Sequence, residues 1–143
     1  MDDSPLLADL NPAQREAVAA VDGPVLVVAG AGSGKTRVLT YRIAHLIRDL
    51  GVSPYAMLAI TFTNKAADEM KQRVAALVGG VARGMWVSTF HSACVRILRR
   101  EAPMLGYRST FSIYDDLDSR RAVEFCVRDL DLDPKRFPPK ALQ

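Results

Sequence analysis

The sequence predicts an α/β fold in which helices flank a parallel sheet, and two features predict it. Three short apolar runs, at residues 25–28, 57–60 and 85–87, each lead through a short loop into a stretch with helical spacing. Runs that are apolar throughout, rather than alternating, mark strands covered on both faces, and strand–loop–helix succession marks parallel pairing. The second feature is the loop after the first run. Residues 29–36 hold three glycines and close on Lys35 and Thr36.

In chain order, Asn11 predicts a helix N-cap, with Pro12 where its missing N–H costs nothing and Ala17, Val18 and Val21 along one face. Asp22, Gly23 and Pro24 end that helix, and the first strand follows. Val38, Leu39, Ile43, Leu46 and Ile47 predict the helix after the loop, stopped by Gly51 and Pro54. The second strand leads through residues 61–65 to a helix marked by Ala66, Ala67, Met70, Val74 and Leu77, closed by Gly79 and Gly80. The third passes through residues 88–91 to a helix carrying Cys94, Ile97 and Leu98.

From Glu101 the character changes. Pro103, Gly106 and Tyr107 make a break, residues 111–114 read as a short strand, and Leu117, Val123, Val127 and Leu130 mark one more helix. Pro138 and Pro139 resemble the start of an element, yet only four residues follow them, so the end reads as a cut.

The totals set bounds. A length of 143 residues suits one ordinary domain, and 49% hydrophobic with 24% charged residues places it among soluble globular chains. A formal charge of +3 permits a nucleic-acid partner without requiring one. Cys94 and Cys126 have no metal-ligand spacing and read as half-buried thiols in a reducing cytosol. The start, Met1 to Pro5, has neither basic residues nor an apolar segment, and no run approaches membrane-spanning length. The expected location is cytoplasmic.

The glycine-rich loop carries the chemistry. Glycines at 30, 32 and 34 let several N–H groups turn into one concavity at a helix N-terminus, where an anion is favoured. Lys35 adds a full charge for the outer phosphates, and the Thr36 hydroxyl is placed for Mg²⁺. This is the strand, phosphate loop and helix of a P-loop NTPase, with Ala29 where the usual pattern opens on glycine.

Parallel strands end on one sheet edge, where ligands sit. Residues 61–65 bring hydroxyls, an amide, a cation and Phe62 there, a set that suits single-stranded nucleic acid; equally, Thr63 or Asn64 is a helix cap and Phe62 is core. Thr89 and His91 are further phosphate donors, though a lone histidine at a helix start also reads as a structural residue. Gln14, three residues after Asn11, completes a capping box; its amide also has the groups to read an adenine edge.

Residues 10–18, Leu-Asn-Pro-Ala-Gln-Arg-Glu-Ala-Val, resemble the Q motif of the UvrD/PcrA/Rep-type DNA helicases of superfamily 1. Residues 29–37, Ala-Gly-Ala-Gly-Ser-Gly-Lys-Thr-Arg, are similar to their motif I, alanine in first place included. Residues 60–67 are similar to motif Ia, and residues 86–92 to the motif at the junction of subdomains 1A and 1B.

The resemblance implies a RecA-like motor subdomain 1A over residues 1–92 and the start of helical subdomain 1B over 93–143. It implies an ATP-dependent DNA helicase that moves 3′ to 5′ on a single strand, works at single-strand/duplex junctions and meets repair proteins. Gln14 contacts the adenine, and Ala29, Gly30, Ala31, Gly32, Ser33, Gly34, Lys35, Thr36 and Arg37 surround the rest of the nucleotide. Lys35 and Thr36 are the catalytic pair, with Thr36 on Mg²⁺, while Thr61, Phe62, Thr63, Asn64, Lys65, Thr89 and His91 face the DNA. The family's Walker B Asp-Glu, arginine fingers and second motor domain are expected beyond Gln143, so the isolated fragment is expected to be inactive. Asp115 and Asp116 imitate that acid pair but read as a strand end and helix cap. Two other classes stay open: a small-molecule P-loop kinase and, for the fragment, a non-catalytic nucleotide-binding or docking module.

Overall fold

A computed structural model describes residues 4–142. The readings made on Met1, Asp2, Asp3 and Gln143 lie outside the described residues. The chain forms two compact units, Met1–Arg96 and Ile97–Gln143.

The first unit begins with two short helices, α1 (Pro5–Ala8) and α2 (Pro12–Ala19). The capping box forms as the local sequence dictates: the Gln14 amide N–H donates to Asn11 Oδ1 at 2.9 Å, and the Asn11 N–H donates to Gln14 Oε1 at 3.3 Å. Helix α3 (Lys35–Arg48) follows the glycine-rich loop. Strand β1 (Leu58–Thr61) leads to α4 (Asn64–Val78), capped by the Thr63 hydroxyl and ended at Gly79. A 3₁₀ turn (Gly79–Gly84) then feeds β2 (Trp86–Thr89) and α5 (Phe90–Glu101).

Strands β1 and β2 pair in parallel, with Leu58 opposite Trp86 and Thr61 opposite Thr89. The expected first strand does not form. Residues 25–28 run to the glycine-rich loop without helix or ladder pairing, and Leu26 and Val28 are 88% and 90% exposed. A strand needs a hydrogen-bonded neighbour, and among the described residues β1 and β2 have only each other. The later strands also extend further than expected: Ser88 and Thr89 belong to β2 and His91 to α5, so residues 88–91 are not a loop.

Helix α3 holds the unit together by burying two sides. Val38 packs with Leu7, Leu10 and Val18, while Ile43 packs with Ala59, Ala67, Met70, Val74, Met85 and Val87. Positions 38 and 43 lie roughly 140° apart at 3.6 residues per turn, too wide for one stripe. The expected face was therefore only partly right, since Leu39 is exposed and Thr40, Ala44 and His45 are buried. His45, 1% exposed, is hydrogen-bonded to Asp49 (Nδ1 to Oδ2, 2.7 Å), and the Ser4 hydroxyl donates to the same oxygen at 2.7 Å. The pair ties the start of α1 to the end of α3.

Burial alone would raise the Asp49 pKa, but the hydrogen bonds from Ser4 and His45 and the charges of His45 and Arg48 outweigh it and leave the carboxyl below its ordinary value. A depressed carboxyl stabilises the fold above its unfolded pKa and loses that effect as pH falls through the folded one. Asp49→Asn should therefore cost about 1–3 kcal/mol near neutral pH. Parent and variant should converge from about pH 4 downward in urea unfolding curves. A gap that stays constant into acid would assign the loss to geometry instead of charge.

In the second unit, a 3₁₀ turn (Ala102–Leu105) follows α5 and precedes α6 (Asp116–Asp129), and α7 (Pro139–Leu142) closes the chain. Residues 111–114 are irregular rather than a strand. Asp115 is the N-cap of α6, its Oδ1 accepting from the Asp118 N–H at 2.7 Å, which is the helix-cap reading of that acid pair. Of the residues expected along α6, Val127 is buried whereas Leu117 and Leu130 are exposed. Cys94 is half-buried as expected, but Cys126 is exposed. Arg99 lies over the Phe111 ring and Arg128 over Phe125, at 4.7 and 4.5 Å. No helix among the described residues is long and apolar enough to cross a membrane.

Candidate functional site

The glycine-rich loop is a built structure. Gly32 and Gly34 take left-handed φ values of 74° and 87°, whereas Gly30 does not. Gly34 serves as the N-cap of α3 and offers no side-chain cap, so the first-turn amides of a 14-residue helix are left for an incoming acceptor. Lys35 curls back over the loop, its Nζ donating to the carbonyls of Gly30 at 2.8 Å and Ala29 at 3.2 Å. The Ser33 hydroxyl donates to the same Gly30 oxygen at 2.7 Å. Cation and anion-seeking amides thus share one small volume.

Gln14 reaches this loop while keeping its capping box. Its Nε2 donates to the Ser33 carbonyl at 3.1 Å, and a Cβ built on Gly34 would stand 2.7 Å from that nitrogen. A side chain at position 34 is therefore strained by φ, and it would also have to displace the movable end of Gln14. Arg37 donates to the Asp9 carbonyl at 2.9 Å and lies over the Tyr41 ring at 5.1 Å. Thr36 and Ala31 are exposed beside the loop.

At the other predicted site, parallel pairing puts Thr61 and Thr89 side by side at the ends of β1 and β2. Phe62 is 94% exposed, which rules out its reading as core. The Thr61 hydroxyl donates to the Thr63 carbonyl at 2.9 Å, and Thr63, not Asn64, is the cap of α4. Asn64, Lys65 and His91 are exposed. Thr89 is buried, and its hydroxyl is engaged by Ser92, donating to Ser92 Oγ at 2.9 Å and accepting from the Ser92 N–H at 3.3 Å. The residue expected as a phosphate donor is thus occupied as a local cap.

Hydrogen bonds thus join Gln14 to the glycine-rich loop and the β1 end to the α4 cap. Among the described residues, no hydrogen bond joins the one group to the other. The sequence reading placed Arg37 beside the nucleotide without its anchor on Asp9, and it missed Arg42, which donates to the Ala17 carbonyl at 2.7 Å. It also missed His45, although its i,i+4 spacing to Asp49 was a visible signal.

Residues 10–143 match the model of the UvrD/REP helicase N-terminal domain. The chain is 60% identical over 138 residues to the ATP-dependent DNA helicase UvrD1 of Mycobacterium tuberculosis (strain ATCC 25618 / H37Rv), covering 96% of this chain and 18% of that protein. It is 53% identical over 137 residues to the ATP-dependent DNA helicase PcrA of Bacillus subtilis (strain 168), with the same two coverages. PcrA of Staphylococcus aureus (strain NCTC 8325 / PS 47) is 53% identical over 135 residues, 94% of this chain. The chain spans about a fifth of the length of these relatives, 18% in each case. By the extent of the match and the identity, the chain belongs to the family of UvrD/REP helicase N-terminal domains.

Proposed function

We propose that this chain carries the nucleotide-phosphate site and part of the single-strand track of an ATP-dependent 3′-to-5′ DNA helicase. One observation carries the reading most directly: an uncapped helix N-terminus at Gly34, overhung by the Lys35 ammonium and touched by Gln14. Family membership and the helicase names of the relatives support it. In this reading residues 1–92 are the front of RecA-like subdomain 1A and 93–143 the start of 1B. The two compact units, which part after Arg96, support that division.

Each residue then has a task. Lys35 leaves the loop carbonyls for the outer phosphates, and the loop amides from Gly30 to Thr36 hold the rest. Gln14 reads the adenine while keeping Asn11 capped, and Arg37 lies beside the nucleotide. Thr36 has an exposed hydroxyl for Mg²⁺, and among the described residues there is no cluster of three acidic, histidine or cysteine side chains to hold a metal by itself. A bound Mg²⁺ would neutralise phosphate charge. Phe62 stacks on a base, and Thr61, Thr63, Asn64, Lys65 and His91 meet the strand. Thr89 joins them if its hydroxyl leaves Ser92. Closure against a second motor domain then shifts the grip on DNA.

The complete protein should hydrolyse ATP faster when single-stranded DNA is added. Hydrolysis indifferent to DNA but stimulated by a small acceptor would favour a kinase instead. The 143-residue chain alone should show no turnover, since no Asp-Glu pair follows an apolar strand in it. Turnover by that chain, abolished by Lys35→Ala, would promote Asp115 or Asp116 to catalytic roles.

A further inference from the structure

On the first unit, away from the ends of β1 and β2 where the DNA residues lie, α4, the turn before β2, the first residues of β2 and the middle of α5 border a cleft of about 520 Å³. Lys71, Arg83 and Arg96 border it, and among the described residues no carboxylate does. Lys71 has a loose, exposed partner in Asp68 at 3.5 Å. Arg83 and Arg96 have no ion pair among the described residues. Arg96 stacks on the Trp86 ring at 4.5 Å. A stacked guanidinium keeps its in-plane N–H edge for carboxylates. Between these cations Ala75, Met85 and Val87 contribute apolar surface.

We propose that this cleft is a docking site for an acidic peptide segment of a partner protein, anchored by one apolar side chain. Arg83 and Arg96, without an ion pair among the described residues, and Lys71, only loosely held by the exposed Asp68, call for negative charge from outside. The apolar lining calls for something a side chain has and a phosphodiester backbone lacks. Base stacking is disfavoured as well, because Arg96 already covers the Trp86 ring. Phe62, the most exposed aromatic side chain among the described residues, lies outside this cleft. The proposal stands apart from the nucleotide and DNA roles given above, since none of those residues lines the cleft.

The test uses the complete protein and a fluorescent peptide of glutamates and aspartates around one phenylalanine, followed by anisotropy at low and physiological salt. The parent should bind it, with affinity falling as salt rises. Arg83→Glu, an exposed change that spares the Trp86 stack, should weaken binding about tenfold, and adding Arg96→Glu should weaken it further. A peptide with alanine in place of phenylalanine should also bind about tenfold more weakly. ATP hydrolysis and single-strand binding should stay at the parent's level in both variants, which separates this site from the proposed helicase chemistry. Absence of peptide binding by the parent, or equal binding by parent and Arg83→Glu, overturns the proposal. So does a short DNA duplex that binds the parent through Arg83 and displaces the peptide, which would make the cleft a nucleic-acid site.

Discussion

Lys35→Ala in the complete protein should abolish unwinding and leave the fold intact. The side chain is exposed, and its partners are the loop carbonyls of Ala29 and Gly30. Those oxygens stay accessible to water when the ammonium goes, so stability should move by no more than about 0.5 kcal/mol. Function should respond far more. Charge-assisted contacts to phosphate are worth about 1.5–3 kcal/mol in binding, roughly ten- to a hundred-fold in ATP affinity. The same ammonium also meets charge that develops during transfer, so turnover should fall further than affinity. Nucleotide titration beside DNA-stimulated hydrolysis separates the two effects. A variant with weakened ATP binding but full maximal turnover would remove Lys35 from the transition state and leave it a binding residue.

What could be read from the sequence follows from how local each cause is. The capping box at Asn11 and Gln14 and the stop at Gly79 are decided by residues within a turn of one another, and the structure has both. The pairing of β1 with β2 was legible from two apolar runs flanking one helix. Residues 25–28 show the limit. Their composition is as strand-like as that of the other two runs, yet strand status depends on a neighbour, which no composition supplies. Helix α3 shows another, since Val38 and Ile43 serve different cores and a single-stripe reading cannot contain both. In the candidate site, residue types were legible and their availability was not. Sequence alone left Phe62 between core and surface, and its exposure decides that; it read Thr89 only as a phosphate donor, and the structure buries it with its hydroxyl engaged by Ser92.

Phe62→Ala and Lys65→Ala should weaken single-strand binding in different ways. The Phe62 ring stands in solvent, so its removal creates no cavity and should shift stability by less than about 0.5 kcal/mol. Loss of a stacked base should cost about 1–3 kcal/mol, or roughly five- to a hundred-fold in affinity. Stacking involves no net charge, so the dependence of affinity on salt should keep its slope. Lys65, exposed in the first turn of α4, is expected to meet a phosphate. Its removal should give a smaller loss at physiological salt and a slope shallower by about 0.7, the release of one counterion from a single strand. DNA titrations at several salt concentrations, with thermal unfolding of each variant, distinguish the two. A stably folded Phe62→Ala protein that binds single strands like its parent would leave the exposed ring without a base to stack on and defeat the assignment.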